Sequence, residues 1–233
     1  FTNELPNIIK EDNNYGKNKE GENKRVLVEF VSANPTGPLT IGHGRNAILG
    51  DSISRIFEWN GYNVEREYYF NNAGRQMRVL GESVYARYME LLGLDFQIPD
   101  GGYEGEYIKS ISKKIIDKYG KSFIDDKDNQ IFKESAEQFI FNDIKKTLKK
   151  LGITFDLFFN ENDLYDNNSI NDVINELENK NLIYKKDGAT WFKGTEVGRD
   201  ADRVIVKSTG EPTYRLPDIA YHKNKYDRGY DLM

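Results

Sequence analysis

The sequence predicts an α/β fold: a Rossmann-like parallel sheet with crossover helices, plus a helical and hairpin insertion. Three observations predict it. A β-branched apolar run, VLVEFV (26–31), passes through a proline- and glycine-bearing loop straight into a helical pattern. A second strand-like run over 63–70 leads into a longer helical stripe. Beyond residue 95 the periodicity changes to two amphipathic helices, followed by short strand-like runs set about turn residues.

Each element has its own justification. The run at 26–31 is long enough for one buried strand. A helix is predicted from about Gly44, with Ile48, Leu49, Ile53, Ile56 and Phe57 on one side and a stop at Asn60-Gly61. After the second strand, Met77, Leu80, Val84, Tyr88 and Leu91 recur near the helical period, and Gly93 follows. Ile108, Ile111, Ile115 and Tyr119 form a stripe closed by Gly120. Phe132, Ala136, Phe139, Ile140, Ile144, Leu148 and Leu151 form another, closed by Gly152. FDLFF (155–159) is strand-like, and Ile170, Val173, Ile174 and Leu177 make a short helix. LIYKKDGATWF (182–192) reads as a hairpin with Asp187-Gly188 at its tip. RVIVKS (203–208) is a third strand turning at Thr209-Gly210, and a helix is expected to start near Pro217.

Composition narrows the function classes. The chain has 233 residues, 38% hydrophobic and 30% charged, which suits a soluble globular protein with a sizeable core. No apolar run approaches the roughly 20 residues of a membrane span. The Asn- and Lys-rich first 24 residues lack the apolar core of a signal peptide, so a linker and a cytoplasmic location are expected. The absence of cysteine excludes disulfides and a thiolate nucleophile, and two histidines argue against a protein-built metal cage. The net charge of −5 offers no broad footprint for nucleic acid, so any such contact must be local or lie outside this chain. Phe1 at the start and YDLM at the end suggest a piece of a longer protein.

Strand, glycine-bearing loop, helix is how α/β folds build a phosphate site, because the helix N-terminus presents unpaired N–H groups and a partial positive charge. In PTGPLTIGHGR, Gly42 and Gly44 would let a ligand approach the backbone, and His43 adds a donor at the same place. The run is neither a P-loop nor G-x-G-x-x-G. An ordinary proline–glycine turn before a helix accounts for the pattern equally well. Glu29 is the only charge in its strand, a costly position in a buried strand unless paired; an edge-strand carboxylate facing water is the alternative. Tyr214 and Asp218, four residues apart, can face one way at a helix start, where Asp218 also suits the helix dipole.

ANPTGPLTIGHGR (33–45) followed by REYYFNNAGRQM (66–77) resembles class I aminoacyl-tRNA synthetases, and specifically arginyl-tRNA synthetases. The resemblance continues through EGEYIKSISKKIIDKYG (104–120), LIYKKDGATWF and DRVIVKSTGEPTYRLPDIAYHKNKYDRG (202–229), so it covers the chain from about Lys24 onward. It implies that 1–24 is a linker or the end of an N-terminal domain, and 25–94 the first half of the catalytic domain. It makes 95–155 a helical insertion, and 156–233 the insertion hairpin with the start of the second catalytic half. It implies ATP-dependent activation of L-arginine and transfer to tRNA(Arg), with ATP and Mg²⁺ as cofactors, in a monomer with no membrane partner.

The same resemblance assigns residues. His43, Thr40 and Gly42 are catalytic; Thr40, Gly42, His43, Gly44 and Asn46 bind ATP; Glu29, Ser32, Asn34, Tyr214 and Asp218 bind arginine. Glu29 and Asp218 would read the guanidinium and Asn34 the α-amino group. One departure stands out: TIGH at 40–43 lies where the class has His-Ile-Gly-His, so Thr40 replaces a histidine that helps bind phosphates. A threonine hydroxyl can still donate one hydrogen bond, so phosphate contact is expected to be rearranged rather than lost. No Lys-Met-Ser-Lys-Ser loop is present, and VKSTG (206–210) reads as a hairpin turn, so the isolated chain is expected to be inactive. Asn72, Arg75 and Gln76 read as a helix cap or as substrate contacts, and His222 as structural. Two rival functions remain at this stage: a non-catalytic arginine- or RNA-binding relative, which only Thr40 favours, and another adenylyl-transfer enzyme with an HxGH-type signature.

Overall fold

A computed structural model describes residues 2–233, which divide into two compact units, 2–159 with 231–233 and 160–230. The first unit opens with helix α1 (Leu5–Glu11). Strand β1 (Arg25–Glu29), helix α2 (Ile41–Trp59) and strand β2 (Asn63–Phe70) follow as a parallel crossover. The register runs from Arg25 beside Asn63 to Glu29 beside Glu67. Strand β3 (Leu157–Asn160) completes the order β1-β2-β3, and Leu232 bridges Val26 in parallel. The α/β class and the parallel sheet with crossover helices are therefore present.

Between β2 and β3 lie α3 (Gly74–Leu91), α4 (Glu106–Tyr119) and α5 (Gln130–Lys150). Their apolar stripes meet as the periodicity requires. Met77, Leu80, Val84 and Tyr88 pack with Ile108, Ile111, Ile115, Phe132, Ile140 and Ile144 in one core. The core reaches the sheet through Phe70, whose ring centroid is 4.2 Å from that of Phe141. Leu91 and Leu151, at the ends of their stripes, are exposed.

Helix α2 departs from the sequence reading twice. It starts at Ile41, not Gly44, because extended Thr40 serves as its N-cap. It also turns its large apolar side outward: Ile48, Leu49, Ile53 and Ile56 are exposed, while Ala47, Gly50 and Ser54 are buried. Small residues let the helix lie close on the sheet. A Cβ on Gly50 would come within 2.1 Å of the Phe30 ring. Periodicity locates a helix's apolar stripe, but closeness of approach chose the small side here.

An ion-pair group ties α2 to β2. Arg66 donates to Glu58 at 2.5 and 3.1 Å and to Asp51 at 3.3 Å. Glu58 and Asp51 hold the Arg66 guanidinium above its ordinary pKa, against the opposing effect of burial. The N-terminal segment is bonded to the end of α2, through Trp59 Nε1 to the Tyr15 carbonyl and Gly21 N–H to the Asn60 carbonyl.

The second unit holds α6 (Asn162–Asp166), α7 (Ser169–Asn179), the antiparallel strands β4 (Ile183–Lys186), β5 (Ala189–Phe192) and β6 (Arg203–Val206), and α8 (Arg215–Asp227). Asp187 and Gly188 both have positive φ, 51° and 75°, as a two-residue hairpin turn demands. Pro217 lies in the first turn of α8, two residues past its start. No helix among the described residues is long and apolar enough to cross a membrane.

Candidate active site

Because β1 and β2 are parallel, their carboxyl ends share one edge, and the chain from residue 30 to 40 leaves from it. Glu29 is the last residue of β1 and is exposed, while the buried part of the strand is Val26 and Leu27. The expectation of a charge inside a buried strand is corrected accordingly: β1 ends as the charge arrives, so Glu29 carries no large desolvation cost. The carboxylate buried at this edge is its register neighbour Glu67, at 0% exposure, which sequence reasoning did not single out.

The chain then makes an unusual turn. Val31 and Ser32 have φ of 66° and 42°, two consecutive left-handed residues without a glycine. A β-branched residue there is strained. The Val31 N–H donates to Asn46 Oδ1 at 2.6 Å. Ser32 Oγ donates to Glu29 Oε1 at 2.8 Å and accepts from the Tyr69 N–H at 3.1 Å. Asn34 donates to Gln76 Oε1 at 2.9 Å, linking this loop to the first turn of α3. Asn72 donates to Glu137 at 2.7 Å, a brace between the β2–α3 loop and α5.

Two phenols support the loop from beneath. Tyr68 donates to the Ala33 carbonyl at 3.0 Å, and Tyr107 donates to the Thr36 carbonyl. Burial pushes the Tyr68 phenol above its ordinary pKa, with the Ala33 bond opposing, and burial together with Tyr103 pushes Tyr107 up to about 12. Neither tyrosine was among the sequence candidates. Tyr68 sits in the aromatic run that ends β2, where the last four residues are all buried, but the partner of its hydroxyl lies 35 residues away.

The loop ends at the N-terminus of α2. The Thr40 N–H donates to His43 Nδ1 at 3.0 Å, and Thr40 Oγ1 lies 3.2 Å from the same nitrogen. A backbone N–H can only donate, so Nδ1 accepts and the ring proton sits on Nε2. Nε2–H is thereby left as the ring's donor. Gly42 and Gly44 flank it. Neither has a positive φ. A Cβ on Gly44 would meet nothing within 4 Å, and one on Gly42 only Thr40 Oγ1 at 3.6 Å. Neither backbone conformation nor packing inside the chain calls for glycine at these two positions. Open space against the backbone of a helix N-terminus suits a polyphosphate.

Within the second unit, Tyr214 and Asp218 are both exposed at the start of α8, and the Asp218 N–H donates to the Tyr214 carbonyl at 3.3 Å. The Arg215 guanidinium lies 4.6 Å from the Tyr214 ring centroid. Asp218, Ile219 and His222 line both of two hollows of about 450 and 480 Å³. His222, one turn beyond Asp218, is exposed rather than packed in a core. Among the described residues, no group of three or more His, Asp or Glu side chains is placed to hold a metal ion.

Comparison with known proteins identifies the family. A family profile described as tRNA synthetases class I (R), catalytic domain, matches residues 4–230. The chain belongs to the class I arginyl-tRNA synthetase catalytic-domain family. It is 55% identical to an arginine–tRNA ligase of Desulfotalea psychrophila over 229 residues, which is 98% of this chain and 42% of that protein. It is 52% identical to an arginine–tRNA ligase of Chlorobium luteolum, across 97% of this chain and 42% of that protein. The chain thus spans 42% of the length of these relatives. A Campylobacter jejuni crystal structure named as an arginyl-tRNA synthetase superposes with a TM-score of 0.85 at 35% identity, over 98% of this chain and 51% of that one. A Thermus thermophilus arginyl-tRNA synthetase superposes with a TM-score of 0.63 at 23% identity, a likeness of fold.

Proposed function

We propose that this chain carries the amino-acid activation site of an arginine–tRNA ligase, as the catalytic-domain part of a longer protein. The observation that carries the reading is the entrance to α2. There a histidine held as an Nε2–H donor stands between two glycines whose outer faces are open, at the carboxyl edge of a parallel sheet.

The geometry is compatible with the family's reaction. The carboxylate of arginine attacks the α-phosphorus of ATP, and the bond to pyrophosphate breaks. The protein supplies no nucleophile; it aligns two reactants and stabilises developing negative charge. His43 Nε2–H and the N–H groups of the first turn of α2 serve as the donors, and Gly42 and Gly44 admit the phosphates. Thr40 acts from behind, by keeping His43 in the donating tautomer. Mg²⁺, when bound, would neutralise charge on the phosphates of ATP and would be held chiefly by those phosphates, because no group of three or more His, Asp or Glu side chains among the described residues is placed to hold it. The activated arginyl group then passes to a terminal ribose hydroxyl of tRNA(Arg), releasing AMP.

Glu29 stands on the same edge as an exposed carboxylate, suited to a guanidinium, and Asn34, two residues beyond Ser32 in the loop, suits the α-amino group. The family resemblance assigns Tyr214 and Asp218 to arginine recognition as well. ATP–pyrophosphate exchange by the full-length enzyme with tRNA(Arg) present tests the reading. Exchange that depends on arginine and not on lysine is expected, and its absence refutes the proposal. The 233-residue chain alone should not charge tRNA.

A further inference from the structure

We infer that Asn46 is a positioning residue for Glu29, acting through the strained turn at Val31 and Ser32 rather than through the nucleotide. This rests on the reading of Glu29 as the guanidinium-binding carboxylate.

The chain of causes is short. Glu29 is the last residue of β1, in register with Glu67 of β2. Its Oε1 is held by Ser32 Oγ, three residues on, at 2.8 Å. That contact exists because the backbone doubles back at once, with the Ser32 N–H bonded to the Phe30 carbonyl at 2.9 Å. The reversal needs left-handed φ at Val31 and Ser32, which neither residue favours. Two contacts from outside the turn hold it. The Tyr69 N–H of β2 donates to Ser32 Oγ, and Asn46 Oδ1 on α2 accepts the Val31 N–H. The hydroxyl of Ser32 thus donates to Glu29 and accepts from the sheet, so its proton direction is determined. Asn46 fastens the turn from the helix, through the Val31 backbone. Its amide oxygen is already engaged at 2.6 Å, which makes it a member of the strand–helix junction. Without that acceptor, Val31 would relax toward its ordinary extended basin, Ser32 would swing away, and the carboxylate would lose the Ser32 hydrogen bond that helps to orient it.

The test uses the full-length enzyme and four variants. Asn46→Ala should raise the arginine KM about tenfold and leave the ATP KM within about twofold. Asn46→Asp keeps an acceptor oxygen and should return the arginine KM to near the parent value. Val31→Gly removes the penalty of positive φ, so adding it to Asn46→Ala should recover part of the loss; a direct substrate contact by Asn46 would not be rescued this way. Glu29→Gln is the control for the underlying reading. If Glu29→Gln raises the arginine KM and Asn46→Ala does not, or if Asn46→Ala raises the ATP KM instead, the inference is overturned while the function stands. If Glu29→Gln leaves the arginine KM unchanged, the substrate reading falls and takes the inference with it. Melting curves of each variant identify any that fail to fold, and for those the Val31→Gly background supplies the comparison.

Discussion

The Thr40 backbone N–H and the His43 ring nitrogen Nδ1 are 3.0 Å apart, so residue 40, where the family resemblance leads one to expect a histidine, holds the His43 ring through its main chain. The bond uses the main chain of residue 40, which every residue but proline provides. Thr40→His should therefore preserve the His43 tautomer and leave the ATP KM equal or lower. Thr40→Pro removes the donor and should raise it. Nitrogen chemical shifts of the His43 ring, read beside the ATP KM, check both. A Thr40→His variant with a collapsed ATP affinity would mean that the threonine hydroxyl itself meets the nucleotide.

Three glycines of α2 make a second contrast. Gly42→Ala and Gly44→Ala place a methyl group in open space, so stability should hold or rise by up to about 1 kcal/mol from helix propensity. The ATP KM should nevertheless rise severalfold or more, because the methyl occupies the side where phosphates approach. Gly50→Ala should do the reverse and lower stability by about 1–3 kcal/mol through overpacking on Phe30. Thermal melts and ATP kinetics on the same three variants separate the two roles. Equal destabilisation by all three would remove the argument for a ligand at Gly42 and Gly44.

Removing the charge at the arginine end should act on the other substrate. Glu29→Gln loses a charge-assisted hydrogen bond worth about 1.5–3 kcal/mol, a rise of roughly tenfold to a few hundredfold in arginine KM. Asp218→Asn, tested by itself, should do the same if the family resemblance carries over to that position. ATP KM should stay level in both. A rise in ATP requirement alone would move these carboxylates to the nucleotide side.

Alkaline pH should loosen the site through its tyrosine supports. Tyr68 and Tyr107 have phenols raised above the ordinary value of about 10, Tyr107 to about 12, chiefly by burial. In the folded protein they stay protonated where an unfolded chain would lose the proton. The unfolded state then binds fewer protons, so stability falls as pH rises. The contribution is complete below pH 10 and is lost as pH passes through the raised values. Tyrosinate absorbance should show these two phenols ionising late, and Tyr107→Phe should weaken the loop at neutral pH. Early, simultaneous titration of all tyrosines would contradict the burial argument.

The Arg66 cluster predicts a stability effect away from the chemistry. Arg66→Met leaves Asp51 and Glu58 without their shared cation and should cost about 1–3 kcal/mol. Urea unfolding measures this. The effect should be smaller for Glu58→Gln, since Glu58 is substantially exposed.

Much of the helical framework was legible residue by residue. The stripes ending at Gly120 and Gly152 became α4 and α5, and Asp187-Gly188 became the hairpin tip, because periodicity and turn chemistry act within a few residues. The apolar residues of α2 misled for an equally definite reason. Ile48, Leu49, Ile53 and Ile56 carry the greater hydrophobicity, yet the fold buries Ala47 and Gly50. The same holds at β1, where the run continued in sequence beyond the point at which the strand ends.

By itself the sequence determined the α/β class, the order of strands and helices apart from α1, in a stretch read as a linker, and α6, and the stretch that resembles the family. These depend on local period, on glycine and proline, and on a contiguous motif. Only the tertiary structure decided that α2 presents its small side to the sheet, that Val31 and Ser32 turn left-handed, that Asn46 accepts from Val31, and that Tyr68 and Tyr107 carry the loop. Those are contacts between residues 15 to 71 positions apart, set by how closely a helix can lie on a strand, and no local pattern encodes that distance.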